Sequence, residues 1–132
     1  MTENRNCYVS LWVGCFESDE KLLDYISIDY EKDEDGEDDS QFMKDFGINY
    51  VDEDYIERIF LDKETDSIKC LLSGCSYDDK VIPEFEKIFV GGKNFNCGIL
   101  VYDTNYDGNI TFTENKYCRL EFVGTVKIKI KL

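Results

Sequence analysis

The chain has 132 residues, 42% hydrophobic and 14% aromatic, enough apolar material for one sizeable core and hence a single domain over residues 1–132. Twenty-nine Asp and Glu against 15 Lys and Arg give a net charge of −14, and there is no His. That balance argues against nucleic acid and anionic membranes as partners, and the missing imidazole removes Ser-His-Asp and Cys-His catalysis.

The first residues, "MTENRNCYVSLWVGCF", hold no basic stretch followed by a long apolar one, and no segment approaches the roughly 20 apolar residues of a membrane span. A cytoplasmic protein is expected. Six Cys, at 7, 15, 70, 75, 97 and 118, are sparse for a disulfide-stapled domain. With no C-x-x-C pair and no His to complete a ligand set, zinc is not expected, and the thiols read as reduced, half-buried small hydrophobes. No cofactor is implied.

In chain order, "YVSLWV" at 8–13 alternates, with Val9, Leu11 and Val13 on one face and Tyr8, Ser10 and Trp12 on the other, and Gly14 is expected to end this strand. Ser18 is placed to cap a helix running to about Ile28, with Asp19 and Glu20 in its first turn. Seven of the nine residues from Glu31 to Asp39 are acidic, a run that reads as a solvated loop. "SQFMKDFG" predicts a short helix between an Ser40 N-cap and a left-handed Gly47.

Asp52 opens a further amphipathic piece, "DEDYIERIFL", in which helical spacing sets Glu53 and Glu57 on one face. Thr65 or Asp66 opens "SIKCLLSG", stopped at Gly74, and "SYDDKVIPEFEKIF" predicts another helix, with Pro83 tolerated near its start. Ser73, Ser76 and Tyr77 sit at the helix stop between them and read as structural. After Gly91-Gly92 the period changes to that of strands: "GILVY" at 98–102, "NITFT" at 109–113 and "YCRLEFVG" at 117–124. The tail alternates Val126, Ile128, Ile130 and Leu132 inward with Lys127, Lys129 and Lys131 outward, as suits a guarded edge strand. The layout is α+β: an antiparallel sheet from the N-terminal strand and a C-terminal meander, with several helices mainly on one face.

"DTNYDGNITFTE" at 103–114 fits the calcium-loop pattern D-x-[DN]-x-[DN]-G-x5-E. Asp103, Asn105 and Asp107 would offer side-chain oxygens, Asn109 its carbonyl and Glu114 a bidentate carboxylate. The flanks are β-rich rather than helical and there is no second loop to pair with. Asp107-Gly108 is itself a strong hairpin dipeptide, and the sequence favours that turn, with calcium binding as the alternative.

Six segments occur together and in order: "VSLWVGCF" (9–16), "SQFMKDFG" (40–47), "YVDEDYIE" (50–57), "LLSGCSY" (71–77), "LVYDTNYDG" (100–108) and "FVGTV" (122–126). As a set they resemble the immunity protein 22 family of bacterial polymorphic toxin systems, from Val9 to about Val126. Cys15 stands where that family more usually has a polar residue, and the 31–39 loop is more acidic than is typical. The resemblance implies a cytosolic antidote that blocks a toxin encoded beside it by stoichiometric binding, and therefore not an enzyme. A small acidic protein suits a basic toxin face, such as a nuclease's. An enzyme using two carboxylates would need a pair that nothing in the sequence selects.

Three groups are candidate toxin contacts. The acidic run offers Asp33, Glu34, Asp35, Glu37, Asp38 and Asp39, whose clustering suits electrostatic steering. Asp52, Glu53, Asp54 and Glu57 surround Tyr55 within a segment that carries part of the resemblance. Trp12 is first a sheet-face aromatic and, alternatively, a binding anchor, because Trp is enriched at binding hot spots.

Overall fold

A computed structural model describes residues 4–28, 40–48, 51–114 and 118–131. Its strands are Asn4–Phe16 (β1), Ile56–Thr65 (β2), Phe95–Tyr102 (β3), Phe112–Glu114 (β4) and Cys118–Lys131 (β5); its helices are Asp19–Ile26 (α1), Gln41–Phe46 (α2), Ile68–Leu72 (α3) and Asp78–Ile88 (α4). The strands form one antiparallel sheet in the order β2-β3-β1-β5-β4. The expected α+β architecture is present, and β1 is its central strand.

β1 is apolar on both faces. Cys7, Val9, Leu11 and Val13 enter one core with Leu71 and Leu72 of α3 and Val81 and Phe85 of α4. Trp12 and Phe16 enter a second core with Leu22 and Tyr25 of α1 and Phe42, Met43 and Phe46 of α2. The helices are thus divided, one pair per face, rather than gathered mainly on one. An exposed β1 face of either kind would forfeit roughly 1.5–3 kcal/mol for each large side chain left in water. Within the second core the Trp12 ring lies 4.9 Å from Phe42, 5.2 Å from Tyr106 and 4.9 Å from Phe122, centroid to centroid.

β5 serves both cores by means of a bulge. Leu11 opposes Gly124 while the next residue, Trp12, opposes Phe122, so Val123 is the extra residue. Leu120 and Phe122 therefore face the second core, and Val126, Ile128 and Ile130 the first. Gly124 adopts φ +151, and a Cβ there would stand 2.7 Å from Ile88 Cδ1, so α4 packs directly on the bulge. β4 pairs with β5 only opposite Arg119–Glu121. Beyond that, β5 pairs with β1 alone among the described residues, with Lys127 and Lys129 exposed, as the edge-strand reading expects.

Three caps follow the sequence, whereas α3 is capped by Ser67, whose Oγ accepts from the Cys70 amide, and not by Thr65 or Asp66. Ser18 Oγ accepts from the Lys21 amide and Ser40 Oγ from the Met43 amide, both at 3.1 Å, and Gly47 is left-handed at φ +67. Other expectations need correction. β1 does not stop at Gly14 but continues to Phe16, because β5 approaches so closely there that a Cβ would collide with the Arg119 carbonyl. "DEDYIERIFL" is a short 3-10 turn at Glu53–Tyr55 followed by strand β2, so Glu53 and Glu57 share no helical face. Pairing with β3 decides this: Ile56, Ile59 and Phe60 stand opposite Val101, Gly98 and Cys97 in an antiparallel ladder that a helix could not join. Pro83 lies inside α4 rather than near its start, on the exposed side, where its ring meets solvent and not the core. The C-terminal strands are no simple meander, since β1 separates β3 from β5.

We expect Gly124→Ala to cost about 1–3 kcal/mol, from the positive φ and the clash with Ile88. In an Ile88→Ala background the added cost should fall, because the clash disappears and only the backbone strain remains. Urea denaturation of the four proteins measures the difference.

Candidate functional site

The surface carries depressions of about 400 Å³, 430 Å³ and 520 Å³, the last an open one beside Asp19, Arg58, Phe60 and Asp62. The first lies beside Gly91, Gly92 and Lys93, and its Arg119 guanidinium is already committed, donating to the Asn94 carbonyl at 2.6 Å. The second collects residues that the sequence singled out, and its walls come from three places.

One wall is the 3-10 turn. Asp52 accepts from the Asp54 amide at 3.0 Å, so the turn presents Asp54 and Tyr55 outward, with Tyr55 45% exposed. Buried Val51 anchors the turn from behind. The second wall is the α3–α4 connection, fastened to β2 by Glu57. The Glu57 carboxylate accepts from the Ser76 amide at 3.0 Å, and the Tyr102 hydroxyl lies 2.8 Å from Glu57 Oε1 and 2.7 Å from the Ser76 carbonyl. These bonds hold Tyr77 at φ 58, ψ 33, with the residue 44% exposed. The third wall is Arg5 of β1, donating to Asp103 at the end of β3 at 3.0 Å. Cys7, Ile56 and Ile130 also line the cleft.

Tyr77 and Asp103, at φ 58 each, are the non-glycine residues with positive φ among those described, and both line this cleft. Such conformations cost on the order of 1–3 kcal/mol and persist only where the surroundings over-determine them. Burial, then the Glu57 hydrogen bond, raises the Tyr102 pKa well above the ordinary phenol value. Burial, then the Glu57 charge, pushes the Cys75 thiol up to about 11. On the opposite side of the sheet, burial and the bond to Asp45 raise Tyr25 likewise.

Of the sequence candidates, Asp54, Tyr55 and Glu57 meet in the cleft, with Asp52 and Glu53 on the turn beside it. Trp12 does not: its side chain is fully buried in the second core, so it frames the sheet and offers no surface to a partner. Its Nε1 is buried without a hydrogen-bond partner. Asp33, Glu34, Asp35, Glu37, Asp38 and Asp39 lie outside the described residues. Arg5, Ser76, Tyr77 and Tyr102 were missed or read as structural. Their contacts span 19 positions for Ser76–Glu57 and 98 for Arg5–Asp103, beyond any local pattern.

The 103–114 segment is not the expected hairpin. β3 and β4 are not neighbours, and the connection crosses β1 and β5. Ser10, fully buried, donates to the Thr104 carbonyl at 2.7 Å and accepts from the Tyr106 amide at 3.1 Å. The Tyr106 ring fills the second core, and its hydroxyl reaches the Phe46 and Ile110 carbonyls, each at 2.7 Å. Strands flank the loop, Asp103 is paired with Arg5, and among the described residues no three acidic or sulfur side chains converge as a metal site. Asn105, Asp107, Asn109 and Glu114 are exposed along it. No cysteines are joined by a disulfide among the described residues, and no described helix is long and apolar enough to cross a membrane.

The fold and the cleft define a small acidic α+β protein with a preorganised, tyrosine-rimmed surface site. The chain belongs to the family described as Immunity protein 22, whose model matches residues 9–128. Membership supports a toxin-immunity role and implies a toxin partner. No curated protein and no solved structure matches the chain.

Tyr and Cys are neutral when protonated, and the fold raises both kinds of pKa above the unfolded values of 9.0 for Cys75 and 10.0 for Tyr102. Stability from this source is full below those unfolded values and is lost as pH rises through and beyond them. The urea midpoint should therefore fall between about pH 9 and pH 11, and Tyr25→Phe with Tyr102→Phe should flatten the fall. Calcium at micromolar concentration should leave the Tm where a chelator leaves it; a clear upward shift would restore the calcium reading.

Proposed function

We propose that the chain neutralises a cognate toxin, encoded nearby and acting in the same cytoplasm, by stoichiometric binding rather than by catalysis. The cleft bounded by Asp54, Tyr55, Glu57 and Tyr77 is the contact surface, with Asp52 and Glu53 extending its acidic rim. The observation that carries this reading is the cleft's construction. Two exposed tyrosines and their neighbouring carboxylates are held by a network that spends strain and hydrogen bonds on presenting them. Exposed Tyr beside charged groups is typical of interface anchors.

The toxin face that suits this surface is basic, and a nuclease domain fits that description. The run Asp33, Glu34, Asp35, Glu37, Asp38 and Asp39 contributes long-range steering, in keeping with the net charge of −14.

Co-purification with the C-terminal domain of the polypeptide encoded immediately beside this chain should yield a tight complex and abolish that domain's toxicity. A folded chain that forms no such complex would reject the pairing. Neutralising the six acids of the run should slow association about tenfold at low salt and much less at high salt. An unchanged association rate would remove steering from the account.

A further inference from the structure

The chemistry of the cleft is narrower than its acidity. Asp54, Glu57 and Asp103 line it, which disfavours a carboxylate or phosphate as occupant. These carboxylates do not converge as a metal site. Tyr55 and Tyr77 expose 45% and 44% of their surface beside them. Carboxylates next to half-exposed tyrosines, one of them (Tyr77) set edge-on to Tyr102 at 6.3 Å between ring centroids, suit a flat, weakly hydrated cation, which can stack and pair at once, better than a compact ammonium. The cleft already holds one guanidinium: Arg5 lines it and donates through a single nitrogen, Nη1, to Asp103 Oδ1.

From these observations we infer that the cleft is an arginine pocket, taking one arginine side chain of the toxin against Tyr55 and Tyr77 with Glu57 and Asp54 balancing its charge. This rests on the proposed toxin partner but commits to the residue that enters. Arg5 then acts as an internal competitor. It places a positive charge in the cleft and occupies Asp103, so an incoming arginine binds against it. Glu57 is a positioning residue as well as a counter-charge, because it fixes Ser76 and through it the left-handed Tyr77.

The test is an NMR titration of the full isotope-labelled chain with N-acetyl-arginine amide and, separately, N-acetyl-lysine amide. Saturable amide shifts should concentrate at Tyr55, Ser76 and Tyr77, with arginine binding about two- to fivefold tighter than lysine. Arg5→Ala should tighten arginine binding severalfold. Tyr55→Ala, at an exposed position, should weaken it about threefold with the Tm unchanged. The inference is overturned if shifts spread over the acidic surface with no preference between the two cations, or if Arg5→Ala leaves arginine affinity unchanged or weaker. Capture of the toxin with no response to arginine sinks the pocket and keeps the immunity role. Arginine binding without toxin capture does the reverse.

Discussion

Leu11 and Trp12 are adjacent in sequence, both fully buried, and on opposite faces of the same strand. No single helical layer can satisfy that pair, so the sheet carries a helix pair on each side and β1 sits at its middle. The remaining elements follow from this demand. β5 lies beside β1 along its whole length and must feed both cores, which the extra residue Val123 allows by reversing the faces of its alternating side chains. The connection after β3 must then cross two strands to reach β4. It closes the open end of the second core by burying Tyr106 on Ser10, whose hydroxyl satisfies the crossing backbone.

The cleft is a by-product of the same arrangement. Placing α3 and α4 over the first core brings their connection against the edge strand β2, where Glu57 receives it. Ending β3 beside β1 brings Asp103 to Arg5. The polar bonds are individually modest in water, about 0.5–1.5 kcal/mol each. They are nonetheless enough together to hold two non-glycine residues in left-handed conformations around one surface depression. Rigid presentation of this kind lowers the ordering cost that a partner would otherwise meet on binding. In the proposed reading, the net charge of −14 would act at longer range, on the rate of encounter more than on the strength of the final contact.

Features that depend on a few neighbouring residues were legible in the chain itself. The caps at Ser18 and Ser40 and the left-handed Gly47 are local hydrogen-bond and steric choices, and they stand as the sequence indicates. So do the two-faced alternation of 8–13 and the lysine-bearing tail, because side-chain period is a property of the strand alone. The segment 52–61 was misjudged, since its apolar spacing serves a helix or a strand and only the presence of β3 decides between them. Pro83 was allowed only near a helix start, yet it lies within α4 on its exposed side. Trp12 was first a sheet-face aromatic and only alternatively an anchor for a partner, and burial beside Phe42 and Phe46 decides for the first.

By itself, then, the sequence determined the acidic composition, the absence of histidine chemistry, the helix caps at Ser18, Ser40 and Gly47, the strand periods and, through six ordered segments, the family. Tertiary structure decided the strand order, the sharing of helices between two faces, the bulge, and which of 29 carboxylates would stand beside a tyrosine. The division has a physical cause. Capping, alternation and charge are written within a few residues, whereas burial and strand pairing are settled between segments as far apart as Arg5 and Asp103, where only the folded chain brings them to 3.0 Å.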